Sequence, residues 1–124
     1  DNNENVRTLE NIHMDGMGIL AFVNSKVPKQ ILKLLDQNNL SINEISLFIF
    51  HQASKMTLDS LTQILKIPPE KVYNNMHEVG NTVSASIPIS LKMALDRGII
   101  NTGEKVLLSG FGVGLSWGSA IIEI

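Results

Sequence analysis

No cysteine occurs anywhere in the chain, so disulfides, thiolate metal sites and a cysteine nucleophile are all excluded. Basic charge is scarce too. Ten Lys and Arg face twelve Asp and Glu, the net charge is −2, and no basic face of the kind that tracks a phosphate backbone is evident, which argues against a nucleic-acid partner. No apolar run approaches the ~20 residues of a membrane span, so no membrane partner is expected. No charged-then-apolar leader opens the chain, and the expected location is therefore cytoplasmic. The three histidines lie far apart without ligand-like spacing, so neither a metal site nor a cofactor is expected.

What is present is an apolar globular composition, 44% hydrophobic and 18% charged over 124 residues. That is one domain, long enough to bury roughly two-thirds of the surface its unfolded form exposes. Residues 1–8 are polar and aperiodic and read as a frayed tail or cut linker. Leu9 to Met14 alternates weakly and reads as a short edge strand, and Asp15-Gly16 as a turn. From Met17 to Gln37 the apolar positions fall at helical spacing. Pro28 interrupts them, which predicts two helices or one kinked helix with Ser25 as a cap. Asn38-Asn39 ends this helical stretch, and Ser41 with Glu44 has capping-box character.

Leu47 to Phe50 is a continuous apolar run, the mark of a strand covered on both faces. A helix is expected from Ser54 to Lys66, stopped by Pro68-Pro69, then a very short strand at Val72-Tyr73. A longer helix is expected from Asn81 to Arg97, with Gly98 as its stop signal and Pro88 well inside it, where a kink should follow. Lys105 to Ser109 reads as a strand, Gly110 to Gly114 as a turn, and Leu115 to Ile124 as a final antiparallel strand. The order β-α-β-α-(β)-α-β-β predicts a single α/β domain over 1–124 with a mixed sheet of about five strands.

The run Leu47–Phe50 ends abruptly in His51, followed by Gln52-Ala53-Ser54. Open α/β folds put their chemistry outside the carboxyl ends of the strands. Desolvation by the strand and the nearby helix N–H groups both favour a neutral ring, a donor suited to a developing oxyanion. The plain alternative is a satisfied structural histidine. Gly80-Asn81-Thr82, thirty residues beyond His51, reads either as a helix N-cap or as a second donor to the same oxygen. Gly112-Val113-Gly114 reads either as a hairpin turn or as a backbone N–H aimed at an oxyanion; no acidic residue or long helix follows to make it a dinucleotide loop. Trp117, Phe50 and Met56 are assigned to the core, and His13 and His77 to the surface.

These three stretches, in this order and spacing, resemble the C-terminal half of the β-ketoacyl-ACP synthase III family, within the thiolase-like condensing enzymes. His51-Gln52-Ala53-Ser54 is similar to the family's His-Gln-Ala-Asn. Gly80-Asn81-Thr82 with Ser84-Ala85-Ser86 is similar to Gly-Asn-Thr-Ser-Ala-Ala-Ser. Phe111-Gly112-Val113-Gly114 with Trp117-Gly118-Ser119-Ala120 is similar to its closing hairpin.

The resemblance implies one half of a thiolase-like fold and a decarboxylative condensation of acyl-CoA with malonyl-ACP in fatty acid biosynthesis. It gives His51 and Asn81 to the enolate, and the Val113 N–H, flanked by Gly112 and Gly114, to an oxyanion. Gln52, Ser54 and Lys55 would contact substrate or carrier protein. The nucleophilic cysteine would come from an N-terminal half, and a homodimer is expected; one half alone would expose a face meant to be buried and pair with itself, with apolar residues of the Asn81–Arg97 helix at or near the contact. Three positions depart from the family: Ser54 stands for Asn, Met56 for an Arg and Val113 for a Gly. A related condensing enzyme of specialised acyl metabolism and a non-catalytic dimerisation module are the alternatives.

Overall fold

A computed structural model describes Leu9 and residues 13–124. The proposed tail at 1–8 lies outside the described residues, as does most of the proposed Leu9–Met14 strand; Leu9 itself sits in a turn, and His13 and Met14 have no strand pairing.

Asp15 is an N-cap, accepting the Gly18 N–H at 3.0 Å, and opens α1 (Gly16–Gln37). This helix runs unbroken through Pro28, contrary to the expected break. An interior proline costs about 3 kcal/mol. The helix also buries Val23, Val27, Ile31 and Leu35 at i, i+4 spacing, and at roughly 1.5–3 kcal/mol per side chain that stripe outweighs the penalty. Ser25 is no cap; its hydroxyl donates back to the Phe22 carbonyl at 3.0 Å. Asn38 caps the C-terminus, and Asn39 takes the left-handed conformation at φ 53°. The capping box of Ser41 and Glu44 is present on the 3₁₀ turn Ile42–Glu44.

The strand β1 (Leu47–Phe50) is buried at every position. It pairs in parallel with β2 (Lys105–Gly112), which pairs antiparallel with β3 (Ser116–Glu123). The mixed sheet thus has three strands among the described residues, in the order β1-β2-β3, rather than about five. Val72 makes only an isolated bridge to Phe48. The segment cannot extend as a strand because the next ladder position is taken by a side chain: the Asn75 N–H donates to Gln52 Oε1.

Helix α2 (Lys55–Leu65) starts at Ser54, whose hydroxyl accepts the Thr57 N–H at 3.2 Å, and ends at left-handed Lys66. One turn, α3 (Met76–Val79), precedes Gly80. The helix predicted from Asn81 begins later: a 3₁₀ turn, Val83–Ala85, leads into α4 (Ser86–Asp96). Pro88 is therefore in the first turn, where no intrahelical N–H is needed, and no kink is required. Gly98, at φ 65°, follows the helix as a stop.

Side chains on β1 alternate. Phe48 and Phe50 join the core beneath α1 and α2, while Leu47 and Ile49 join a second core with Ala94 of α4. The architecture is three-layered, with helices on both faces of the sheet.

Because Ser54 caps α2, Ser54→Ala should destabilise the domain by about 1 kcal/mol, whereas Ser54→Asn, an equally good cap, should be close to neutral. Urea unfolding of the two variants would check this; equal losses in both would remove the capping role.

Candidate active site

His51 continues the β1–β2 ladder one residue past the strand: its N–H donates to the Ser109 carbonyl at 2.8 Å. Its own carbonyl accepts the Ala53 N–H at 2.8 Å, turning the chain toward α2. The ring is half-buried and meets Phe111 edge to face, centroids 5.6 Å apart. Phe111 immediately precedes the glycine-rich turn, so His51 and that hairpin share one end of the sheet. Burial holds the imidazole below histidine's ordinary value of 6.5, with desolvation as the cause. The ring is thus neutral at pH 7, with one nitrogen protonated and able to donate.

Asn81 sits on a loop entered through Gly80 at φ 67°. Its Oδ1 accepts the Val83 N–H at 2.9 Å, which fixes the amide and leaves Nδ2 with no hydrogen-bond partner among the described residues. Asn81 therefore forms an Asx-type turn just ahead of the 3₁₀ turn, whose N-cap position is Thr82, and does not cap α4. Val83 has φ 54°, a left-handed conformation that a β-branched residue rarely adopts. Strain of this kind, on the order of 1–3 kcal/mol, persists only where the surroundings over-determine the backbone. The next hydroxyl, Thr82, donates to buried Ser86 at 3.3 Å.

The remaining predicted residues divide. Gln52 is 0% exposed, and its carboxamide is engaged by backbone groups: Nε2 donates to the Phe50 and Tyr73 carbonyls, and Oε1 accepts the Asn75 N–H. It faces inward, so the expected contact of Gln52 with substrate or carrier protein is not available. Lys55 is exposed and pairs with Asp59 one turn along α2. Val113 is 100% exposed at the hairpin tip, between strand-end Gly112 and left-handed Gly114 at φ 80°. Trp117 is not a core residue: it is 41% exposed, with one edge against Phe22. Met56, also assigned to the core, is 65% exposed because it lies on the outer face of α2. A surface groove between α2 and Pro69, lined by Leu58, Thr62 and Val72, contains none of the predicted site residues.

Two participants escaped the pattern. Phe111 was one apolar residue in a glycine-rich turn, although its spacing from Leu107 on β2 puts both on one face. Asn75, fully buried, links Gln52 to Ser90 of α4. The only signal for it was an Asn pair following a short apolar segment.

Against known families, residues 35–124 match the family described as 3-oxoacyl-[acyl-carrier-protein (ACP)] synthase III C terminal. The beta-ketoacyl-[acyl-carrier-protein] synthase III of Trichodesmium erythraeum is 40% identical over 116 residues, covering 94% of this chain and 35% of the relative. That of Streptococcus uberis is 43% identical over 115 residues, covering 91% of this chain and 36% of the relative. A crystal structure of a 3-oxoacyl-(acyl-carrier-protein) synthase III superposes with a TM-score of 0.92 at 35% identity, over 100% of this chain and 37% of that one. The chain thus spans about a third of the length of the curated relatives it matches.

The depressed His51 value carries a sign for stability. Above about pH 6.5 neither the folded nor the unfolded chain protonates this ring. Below it the unfolded chain takes the proton first, so His51 should lower stability as the pH falls. In an NMR titration the His51 ring protons should move with a midpoint below 6.5; a midpoint at or above that value would remove the neutral donor.

Proposed function

The chain belongs to the 3-oxoacyl-[acyl-carrier-protein] synthase III C-terminal family, and from that premise we propose that it supplies the enolate-stabilising donors of a decarboxylative condensation in fatty acid biosynthesis. An acyl group carried from acyl-CoA rests as a thioester on a cysteine of an N-terminal half. Malonyl-ACP then enters. Its C–C bond to the carboxylate breaks, carbon dioxide leaves, and the electron pair moves onto the thioester carbonyl oxygen. His51 and the Asn81 amide donate to that oxygen as its charge develops. The enolate carbon attacks the acyl thioester, whose own oxyanion receives the Val113 N–H, and the cysteine thiolate departs.

The observation that carries this reading is the state of Asn81: its oxygen accepts the Val83 N–H, and its exposed amide nitrogen has no hydrogen-bond partner among the described residues. An Asx-type turn alone needs only the oxygen. A neutral, desolvated His51 is the matching second donor. Two uncharged donors suit an oxygen that is neutral in the ground state and anionic in the transition state. The protein acts in the cytoplasm.

The turn-forming and donor roles of Asn81 can be separated. Asn81→Asp keeps the acceptor for Val83 and deletes the donor. In the complete protein, Asn81→Asp and His51→Ala should each slow malonyl-ACP decarboxylation by about 10²–10³, while acyl transfer from acyl-CoA to the cysteine is kept. An equal fall in acyl transfer would show that the role is misassigned.

Helix α4 supports a partner surface. It buries Ser86, Ser90 and Ala94 against the sheet, while Ile89 is only half-buried, outside both core clusters, and Leu95 is exposed. The N-terminal half would cover this face, within a homodimeric enzyme. In its absence, the 124-residue chain should self-associate through it, giving more than the monomer mass of 13.6 kDa by light scattering at high concentration. A strictly monomeric chain would count against the shared face.

A further inference from the structure

The interior carries polar links from the strand exit beside His51 to helix α4, which follows the Asn81 loop, and the reaction itself does not use them. They begin at Gln52, the residue after His51. The carboxamide of Gln52 holds the Phe50 carbonyl at 2.9 Å, the Tyr73 carbonyl at 3.3 Å and the Asn75 N–H at 3.3 Å. One side chain thus ties the exit of β1 to the 73–75 segment. Asn75 continues the path: its Oδ1 accepts the Ser90 hydroxyl at 3.0 Å, and its Nδ2 lies 3.2 Å from Met93 Sδ. Ser90 is on α4, one turn from Ser86, which receives the Thr82 hydroxyl beside Asn81. Gln52, Asn75, Ser86 and Ser90 are all buried.

Gln52 satisfies three buried backbone groups that no apolar side chain could serve. The Asn75–Ser90 pair has no such duty: apolar side chains of similar volume would fill that space without the risk that one lost partner leaves a buried polar atom unsatisfied, at about 1–3 kcal/mol. What a fully satisfied polar network adds is a single, directional arrangement. Here the elements it orients are the strand exit bearing His51 and the helix whose entry loop bears Asn81.

We propose that Gln52, Asn75 and Ser90 form a positioning relay that sets the Asn81 loop relative to His51, so that both donors reach one substrate oxygen. The proposal rests on the donor assignment for His51 and Asn81. The relay residues touch no substrate; they act through backbone and helix placement. Misplacement of reacting groups by about 1 Å can lower a rate by about 10²-fold, so a small shift of α4 is enough.

The test uses the complete protein and two readouts, malonyl-ACP decarboxylation and acyl transfer from acyl-CoA to the cysteine. Ser90→Ala removes one hydroxyl at a site where alanine fits, and Gln52→Met replaces the carboxamide with a chain of similar size. Each should lower kcat for decarboxylation about 10- to 100-fold and leave acyl transfer and the KM for malonyl-ACP within about twofold. In the double variant Ser90→Ala with Asn81→Asp, the relay predicts no loss beyond Asn81→Asp alone, because the donor being positioned is already gone. Additive losses, or parallel falls in both half-reactions, would reduce the network to a structural role and overturn the proposal. Should Gln52→Met fail to fold, Ser90→Ala and the double variant decide alone. If His51→Ala and Asn81→Asp themselves leave decarboxylation intact, the donor assignment falls and the relay with it. If those two collapse the reaction while Ser90→Ala does not, only the relay is overturned.

Discussion

The burial of β1 on both faces is the constraint on which the rest depends. Four residues have too little ladder to hold a register on their own. Leu47, Phe48, Ile49 and Phe50 are each 3% exposed or less, and they feed two separate cores. A slip of one residue would exchange the Phe48/Phe50 face with the Leu47/Ile49 face and drive the wrong volumes into both layers. The register Phe50↔Ser109 is therefore fixed from two sides, and with it the point at which His51 leaves the sheet. A side chain at the end of so short a strand can be placed well because the strand's neighbours, not its own hydrogen bonds, set its position.

From that point the chemistry follows from what the ring meets. Phe50 before it, Phe111 beside it and the start of α2 after it remove water without supplying a countercharge. Desolvation alone then keeps the imidazole neutral. Asn81 reaches a comparable state by a different route. Its amide oxygen is held by the backbone of a residue in a strained conformation, Val83, and the strain is tolerated because Thr82 and buried Ser86 hold the loop on its other side. The result is an uncharged ring made so by burial and an amide whose oxygen is held by a local turn.

Much of this was legible along the chain. The apolar run ending at His51, the Ser41/Glu44 capping box and the Gly98 stop are local signals, and local physics decides them. Pro28 was misleading because propensity speaks for the isolated helix, whereas the buried stripe from Val23 to Leu35 speaks for the fold. Pro88 was misread because its meaning depends on where α4 starts, and that is set by the Asn81 and Val83 turn rather than by periodicity. Gln52 was placed toward substrate because the resemblance put the whole motif at the site, whereas its side chain turns inward. Its burial becomes intelligible only when Tyr73 and Asn75, more than twenty residues away, present backbone groups to it. Trp117 and Met56 fail in the opposite direction: hydrophobicity predicted burial, but their positions on β3 and α2 face outward.

Helix α4 joins a buried polar link on one side to an exposed apolar residue on the other. Its small residues Ser86, Ser90 and Ala94 face the sheet, and small side chains let a helix approach closely. Only at such a distance can the short side chain of Asn75 reach the Ser90 hydroxyl. Larger apolar residues on that face would push the helix outward and break the connection. The larger Ile87, Leu91 and Met93 pack against the second core from the flanks of that face, and Leu95 is left 38% exposed. A conventional amphipathic surface helix would hide its large side chains and show its polar ones. The same small residues that let α4 take the buried link from Asn75 thus leave the exposed Leu95 as a large apolar side chain that water does not favour.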